Sequence, residues 1–173
     1  LFLNLVKPRL VPMVLIATAA GFYLGTPKNI ELLTLFHVLL GTALSSSGTL
    51  ALNQVLEKDV DKKMKRTKDR PLPSRQIFMP EAILFSVFLL ITGLVYLLVF
   101  INFICSFVTL VSAVIYLLIY TPLKTRSPLN SIIGAIPGAI PPLIGWSAAR
   151  GFLPIESFIL FTILFLWQIP HAL

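Results

Sequence analysis

The stretch LLTLFHVLLGTALSSSGTLALNQVLEKDVD, Leu32 to Asp61, joins a long apolar run to a cluster of acids. Its first part is rich in Leu, Ala, Gly and Ser and is long enough to cross a bilayer, which takes ~20 residues. A carboxylate at the centre of such a span costs roughly 2.5–3.5 kcal/mol on insertion scales. Glu57, Asp59 and Asp61 therefore belong near a membrane surface or in a wet cavity. In a helix, Asn53, Glu57 and Asp61 are spaced by four, and each such step rotates a position by only ~40°, so the three share one face over ~12 Å. That face offers an amide oxygen and two carboxylates. Hard cations such as Mg²⁺ take oxygen ligands of this kind and bridge them to substrate phosphates. Asp59 points to a different face, where a solvated role is the simpler reading.

Working outward, composition sets the class. Hydrophobic residues make up 57% of the 173 and charged residues 12%, and mean hydropathy is +0.91. No soluble domain of this length has such a balance. We read an all-α, polytopic transmembrane bundle with six apolar segments, at about 11–24, 32–56, 82–100, 103–120, 132–148 and 158–173. The first is expected to begin near Pro8, because proline suits a helix start. The third and fourth meet at Ile101-Asn102 as a tight hairpin. The fifth carries Pro137, Pro141 and Pro142 among Gly134, Gly138 and Gly145, so it should bend or break. Gly134 and Gly138 also fit the spacing of close helix packing. The single Cys105 lies in an apolar run, which excludes a disulfide framework and a cysteine metal site. The chain begins at Leu1 and stops at Leu173 in an apolar segment, so both ends are read as internal to a longer protein.

Basic residues orient the bundle. Lys7 and Arg9 precede the first segment, Lys62, Lys63, Lys65, Arg66, Lys68, Arg70 and Arg75 fill the second loop, and Lys124 and Arg126 fill the fourth. The first loop offers Lys28 and the fifth Arg150. The N-terminus and the even-numbered loops are thus expected on the cytoplasmic or matrix side. The net charge of +7 is a topology signal rather than a sign of nucleic-acid binding, since the bases sit in short juxtamembrane loops. Topology alone does not explain carboxylates beside them on one face. A diphosphate ligand explains both, because a cation joins its oxygens to the acids while arginine binds phosphate bidentately. A salt-bridged, solvated helix end is the bland alternative.

Asn53-Gln54 with Glu57, Asp59, Asp61, Met64, Arg66-Thr67 and Arg70-Pro71-Leu72 resembles the first signature of the protoheme IX farnesyltransferase (heme O synthase) branch of the UbiA-type intramembrane prenyltransferases. Three more segments agree: Lys7-Pro8-Arg9; Tyr120-Thr121-Pro122-Leu123-Lys124-Thr125-Arg126 with Asn130 and the Gly/Pro run from Gly134 to Trp146; and Trp167-Gln168-Ile169-Pro170-His171. The resemblance implies a nine-helix bundle of which about six spans are present. Residues 1–173 would be a single prenyltransferase domain, the N-terminal two-thirds or so. The superfamily's second acid motif would follow His171, beyond Leu173. Glu57 stands where the superfamily pattern has a middle aspartate, as the heme-specific branch often allows.

The resemblance also implies the chemistry. A farnesyl group would pass from farnesyl diphosphate to a vinyl group of heme B, with water closing the product as heme O. Asn53, Glu57 and Asp61 would hold Mg²⁺, while Arg66, Arg70 and Lys124 would bind the diphosphate. Tyr120 and Lys124 are the catalytic candidates, the first through its ring face toward an allyl cation. His171 and Asn130 are candidates for the heme side, whereas His37 is read as a hydrogen-bonded packing residue. Heme A synthase or terminal-oxidase assembly factors would be partners, and no nucleic acid is expected. The location is a bacterial or archaeal plasma membrane, ahead of a mitochondrial inner membrane. Two readings compete: a related prenyltransferase acting on a quinone or chlorophyll precursor, and a transporter with an acidic cation pathway. The latter favours acids near the bilayer midplane and repeat symmetry. Here the acids cluster at one segment end.

Overall fold

Long apolar runs separated by basic or Pro/Gly-containing breaks fold as a series of helices. The computed structural model describes residues 2–26, 29–64, 67, 71–74, 76–124 and 130–172, apart from the side chains of Leu3, Pro170, His171 and Ala172. These residues contain helices and no strand. A short α1 (Phe2–Leu5) leads into α2 (Val11–Gly25), α3 (Leu32–Leu56) and the six-residue α4 (Lys58–Lys63). There follow α5 (Met79–Phe100) and α6 (Phe103–Val114), which continues through a π-helical turn (Ile115–Tyr120) into α7 (Thr121–Leu123). Then come α8 (Asn130–Ala139), α9 (Pro141–Arg150) and α10 (Ile155–Ala172). Four stretches are long and apolar enough to cross a membrane: Leu32–Leu56, Met79–Phe100, Phe103–Leu123 and Asn130–Arg150. The other two expected spans are shorter apolar helices, Val11–Gly25 and Ile155–Ile169. This is an integral membrane protein of helical-bundle architecture.

Helix ends follow local chemistry. The first span starts at Val11 and not near Pro8. Lys7 adopts a left-handed φ of 51°, and the Leu10 amide donates to the Lys7 carbonyl at 2.9 Å, so a turn precedes the helix. Pro12 then occupies the first turn, where a missing N–H costs nothing. Pro80 does the same for α5, which starts at Met79, ahead of the expected Ala82. At the α5–α6 hairpin, the Asn102 side chain caps α6 by accepting from the Cys105 amide at 2.8 Å. Its Nδ2 donates to the Ser147 carbonyl at 2.9 Å, tying the hairpin to α9. The fifth span breaks at Ile140, because Pro141 and Pro142 have no N–H with which to continue the ladder. Gly151, at φ 76°, ends α9.

Small residues let the helices meet backbone to backbone. Gly48 faces the backbone of Ser86 and Leu90, and Gly93 faces that of Ser45 and Gly41, so α3 and α5 cross at close range. Gly145 lies on the Thr18 carbonyl and Gly21 on that of Pro142, locking α9 onto α2. Two apolar clusters fill the remaining space. One gathers Phe22, Val38, Leu97, Cys105, Ile140, Ile144 and Ala148, with the Cys105 thiol 3.6 Å from the Ile144 carbonyl as a packed group. The other, at the acid end of α3, joins Leu5, Ala51, Val55, Leu72, Ile77 and Ala82. There the Gln54 amide donates to the carbonyls of Asn4 and Leu5, both at 3.0 Å, and pins α1 to α3. His37 is a packing residue, as read from sequence: its Nδ1 meets the Tyr96 hydroxyl at 2.6 Å and its ring stacks on Phe100 at 5.0 Å.

Candidate functional site

The acid face is continuous although its helix is interrupted. Glu57 separates α3 from α4 with φ −86° and ψ 0°. Its amide still donates to the Asn53 carbonyl at 2.9 Å, and its carbonyl accepts from the Asp61 amide at 2.8 Å. The i to i+4 ladder therefore runs through the junction and keeps Asn53, Glu57 and Asp61 in line. All three are buried, with exposures of 1%, 6% and 4%. Asp59, by contrast, is exposed, as its place on the helix wheel predicts. The Thr67 hydroxyl donates to the Asp61 carbonyl at 3.0 Å and so ties Thr67 back to α4.

The fourth span meets this face. Asn53 Nδ2 donates to Glu57 Oε2 at 3.0 Å, and Lys124 Nζ forms an ion pair with Glu57 Oε1 at 2.9 Å. The Thr121 hydroxyl lies 2.8 Å from both Asn53 Oδ1 and the Tyr116 carbonyl, so its one proton serves either acceptor. Thr121 can do this because the π-helical turn widens the backbone before it. Its own amide also donates to the Tyr116 carbonyl. The Lys124 side chain is 43% exposed, which keeps the ion pair partly solvated and worth on the order of 1 kcal/mol or less.

A cavity of about 510 Å³ opens beside this cluster, bounded by α2, α3, α6, the π turn, α8, α9 and α10. That volume lies within the ~300–1,000 Å³ usual for ligand sites. One wall is a hydroxyl stripe on α3, Thr42, Ser45, Ser46 and Thr49. The stripe leads by one more turn to Asn53, so cavity and acid face form one line along a single helix. Ser45 and Thr49 return their protons to carbonyls of their own helix, at 3.0 and 2.8 Å, and tolerate an apolar setting.

The structure brings Asn53, Glu57 and Lys124 into direct contact and buries Asp61 on the same face. Asn130 lies beside them, its Nδ2 donating to the Lys124 carbonyl at 3.1 Å. Tyr120 packs its ring over Gly134, where an added Cβ would fall 2.6 Å from the ring, and stacks on Tyr116 at 5.2 Å. Of the two tyrosines, Tyr116 is the one that lines the cavity. Arg66 and Arg70 lie outside the described residues, as does the His171 side chain. Sequence reasoning passed over Thr121, Tyr116 and Gln168. Tyr116 carried a signal, since it precedes Tyr120 by four on one helix. Thr121 stood in a motif of the resemblance, but nothing local pointed to its contact with Asn53 without the π turn.

These residues offer oxygen donors of the kind a partial cation shell needs. The donors are hard oxygens, as Mg²⁺ requires, and Mg²⁺ commonly keeps several waters and substrate phosphates in addition to one or two carboxylates. Among the described residues no group of three or more His, Cys, Asp or Glu gathers, so this face is one wall and not a closed cage. The donor set fits the ion on those terms.

The fold and site define a helical membrane bundle with an acid face and a paired lysine beside an apolar cavity. The chain belongs to the UbiA prenyltransferase family, whose model matches residues 14–173. A relative from Solibacter usitatus named protoheme IX farnesyltransferase is 44% identical over 98% of this chain and 61% of its own length. The chain thus spans about three-fifths of the length of that relative. Two solved structures share the fold. One, of a digeranylgeranylglyceryl phosphate synthase, has a TM-score of 0.84 and 24% identity, covering 97% of this chain and 58% of the other. The second, a UbiA homologue from Archaeoglobus fulgidus bound to DMAPP and Mg²⁺, has a TM-score of 0.76 and 22% identity, covering 99% and 62%.

Proposed function

We propose that this protein transfers the farnesyl group of farnesyl diphosphate to a vinyl group of heme B, forming heme O, with Mg²⁺ as cofactor. The observation that carries the reading is the buried Asn53–Glu57–Asp61 face, joined to Lys124 at the end of a cavity suited to an apolar chain. The naming of relatives such as the Solibacter protein, and the ligands of the Archaeoglobus homologue, support the choice of substrates and ion.

Bound Mg²⁺ would offset the charge of the departing diphosphate. Asn53, Glu57 and Asp61 would hold that ion, and Thr121 orients the Asn53 amide. Lys124 sits between Glu57 and solvent, so its ammonium can turn to a diphosphate without leaving the acid face. Arg66 and Arg70 would bind the diphosphate. Tyr116, which lines the cavity and is backed by the stacked Tyr120 ring, offers an aromatic face to the allylic carbon, since cations favour such faces. The apolar walls keep bulk water from the cation. Asn130 and His171 are the candidates for the side of the acceptor, heme B. The protein acts in a bacterial or archaeal plasma membrane, and heme A synthase or oxidase assembly factors receive its product.

Membranes containing the whole protein, supplied with farnesyl diphosphate, heme B and Mg²⁺, should yield heme O on chromatography, and chelation should stop the reaction. Prenylation of a quinone or chlorophyll precursor in place of heme B would refute the assignment.

A further inference from the structure

Gln168, on α10, places its half-buried amide in the cavity and has no hydrogen-bond partner among the described residues. The space is made for it: a Cβ on Gly138 would collide with the Gln168 amide, so glycine at 138 lets this side chain in. Its level can be read from α8. Gly134 meets Tyr120 and Gly138 meets Gln168, one helical turn or ~6 Å further from the acid end. Tyr116 stands one turn before Tyr120, and Thr49 one turn before Asn53. Gln168, Tyr116 and Thr49 thus ring the cavity just inside the Asn53–Glu57–Lys124 cluster. The Thr49 hydroxyl is committed to the Ser45 carbonyl. Thr42, whose hydroxyl also lacks a partner among the described residues, is eleven residues before Asn53, ~16 Å away and too deep to act at this level. The half-buried Gln168 amide thus keeps its hydrogen-bonding capacity for something that enters the cavity.

We propose that Gln168 holds the water that ends the reaction. This rests on the farnesyl-transfer reading above. In that reaction the C1–O bond of farnesyl diphosphate breaks, and its electron pair leaves with the diphosphate. The terminal vinyl carbon bonds to C1 with its π electrons, leaving a cation on the inner vinyl carbon. Gln168 Oε1 accepts a hydrogen bond from one water, whose free lone pair then bonds to that carbon. The surplus proton passes to the diphosphate. Without a held water, the cation loses a proton and gives an alkene, lighter than the product by one water.

The experiment compares wild type, Gln168→Met and Gln168→Glu in the whole protein in membranes, with farnesyl diphosphate, heme B and Mg²⁺ in isotopically labelled water. Products are resolved by mass. Wild type should give the hydroxylated product carrying the label. Gln168→Met should turn the dehydrated alkene from a trace into the main product. Gln168→Glu, which keeps an accepting oxygen, should restore the hydroxylated one. A normal product ratio in Gln168→Met overturns the proposal. If Gln168→Met yields no product at all, recovery of hydroxylated product by Gln168→Glu supports the role, and inactivity of both at normal protein level overturns it. If wild type prenylates another acceptor, the functional reading fails first, and the two failures are told apart.

Discussion

Glu57 does two structural jobs at once, and that is why the acid face survives a helix break. Its backbone carries the ladder from α3 into α4, while its carboxylate takes Asn53 on one oxygen and Lys124 on the other. The spacing of four was readable in the sequence because a helix repeats nearly every four residues. So was the separation of Asp59 from Asp61. Exposed Asp59 and buried Asp61 follow from ~100° per residue. The long-range partners were not readable, since nothing local says that Thr121 reaches Asn53, 68 positions away. The proposed role of Asp61 as a Mg²⁺ ligand is testable here. Asp61→Ala should lower heme O formation about a hundredfold or more, as loss of a charge-stabilising group does. Asp59→Ala should be near wild type. Equal losses in the two variants, at equal membrane levels by immunoblot, would disprove the assignment of faces.

At the scale of elements, the apolar runs marked all six helical spans to within a few residues, because a span must satisfy every backbone group internally. Two features escaped. The π turn at Ile115–Tyr120 lies in an unbroken apolar run, and composition carries no mark of the added residue. The extent of glycine contact was also hidden: Gly134 and Gly138 were legible as a packing pair, but each accommodates a side chain, not a second backbone. Gly145 differs, since it meets the Thr18 carbonyl and the Phe22 amide directly. Backbone cannot rotate away, whereas the end of a glutamine can. Gly145→Ala should therefore cost ~1–3 kcal/mol of overpacking and visibly lower the thermal midpoint in detergent. Gly138→Ala should shift it far less. The reverse order would mean that α2 and α9 do not cross at this glycine.

On the scale of the whole molecule, two contacts fix which loops share a side. The Lys124–Glu57 ion pair joins the ends of the second and fourth spans. Arg150 Nε donates to the Gly25 carbonyl at 2.7 Å and joins the ends of the first and fifth. Each pair lies at one end of the bundle, in agreement with an alternating up-and-down path. The sequence indicated this grouping through its basic residues, because the insertion machinery retains Lys- and Arg-rich loops on the cytoplasmic side. The structure arrives at the same grouping from contacts that know nothing of a membrane. Together they predict the side as well as the grouping. Lys62 and Lys63 are exposed at the acid end, and Asn29 and Phe152 at the other. Cys105, the one cysteine of the sequence, is fully buried and gives a low background. Single cysteines at 62 or 63 should react with an impermeant maleimide only in inside-out vesicles. Cysteines at 29 or 152 should react only in right-side-out cells. Labelling of 62 and 29 from the same side would overturn the helix path itself, whereas a clean inversion of all four would leave the fold intact and overturn only the orientation assigned to the basic loops.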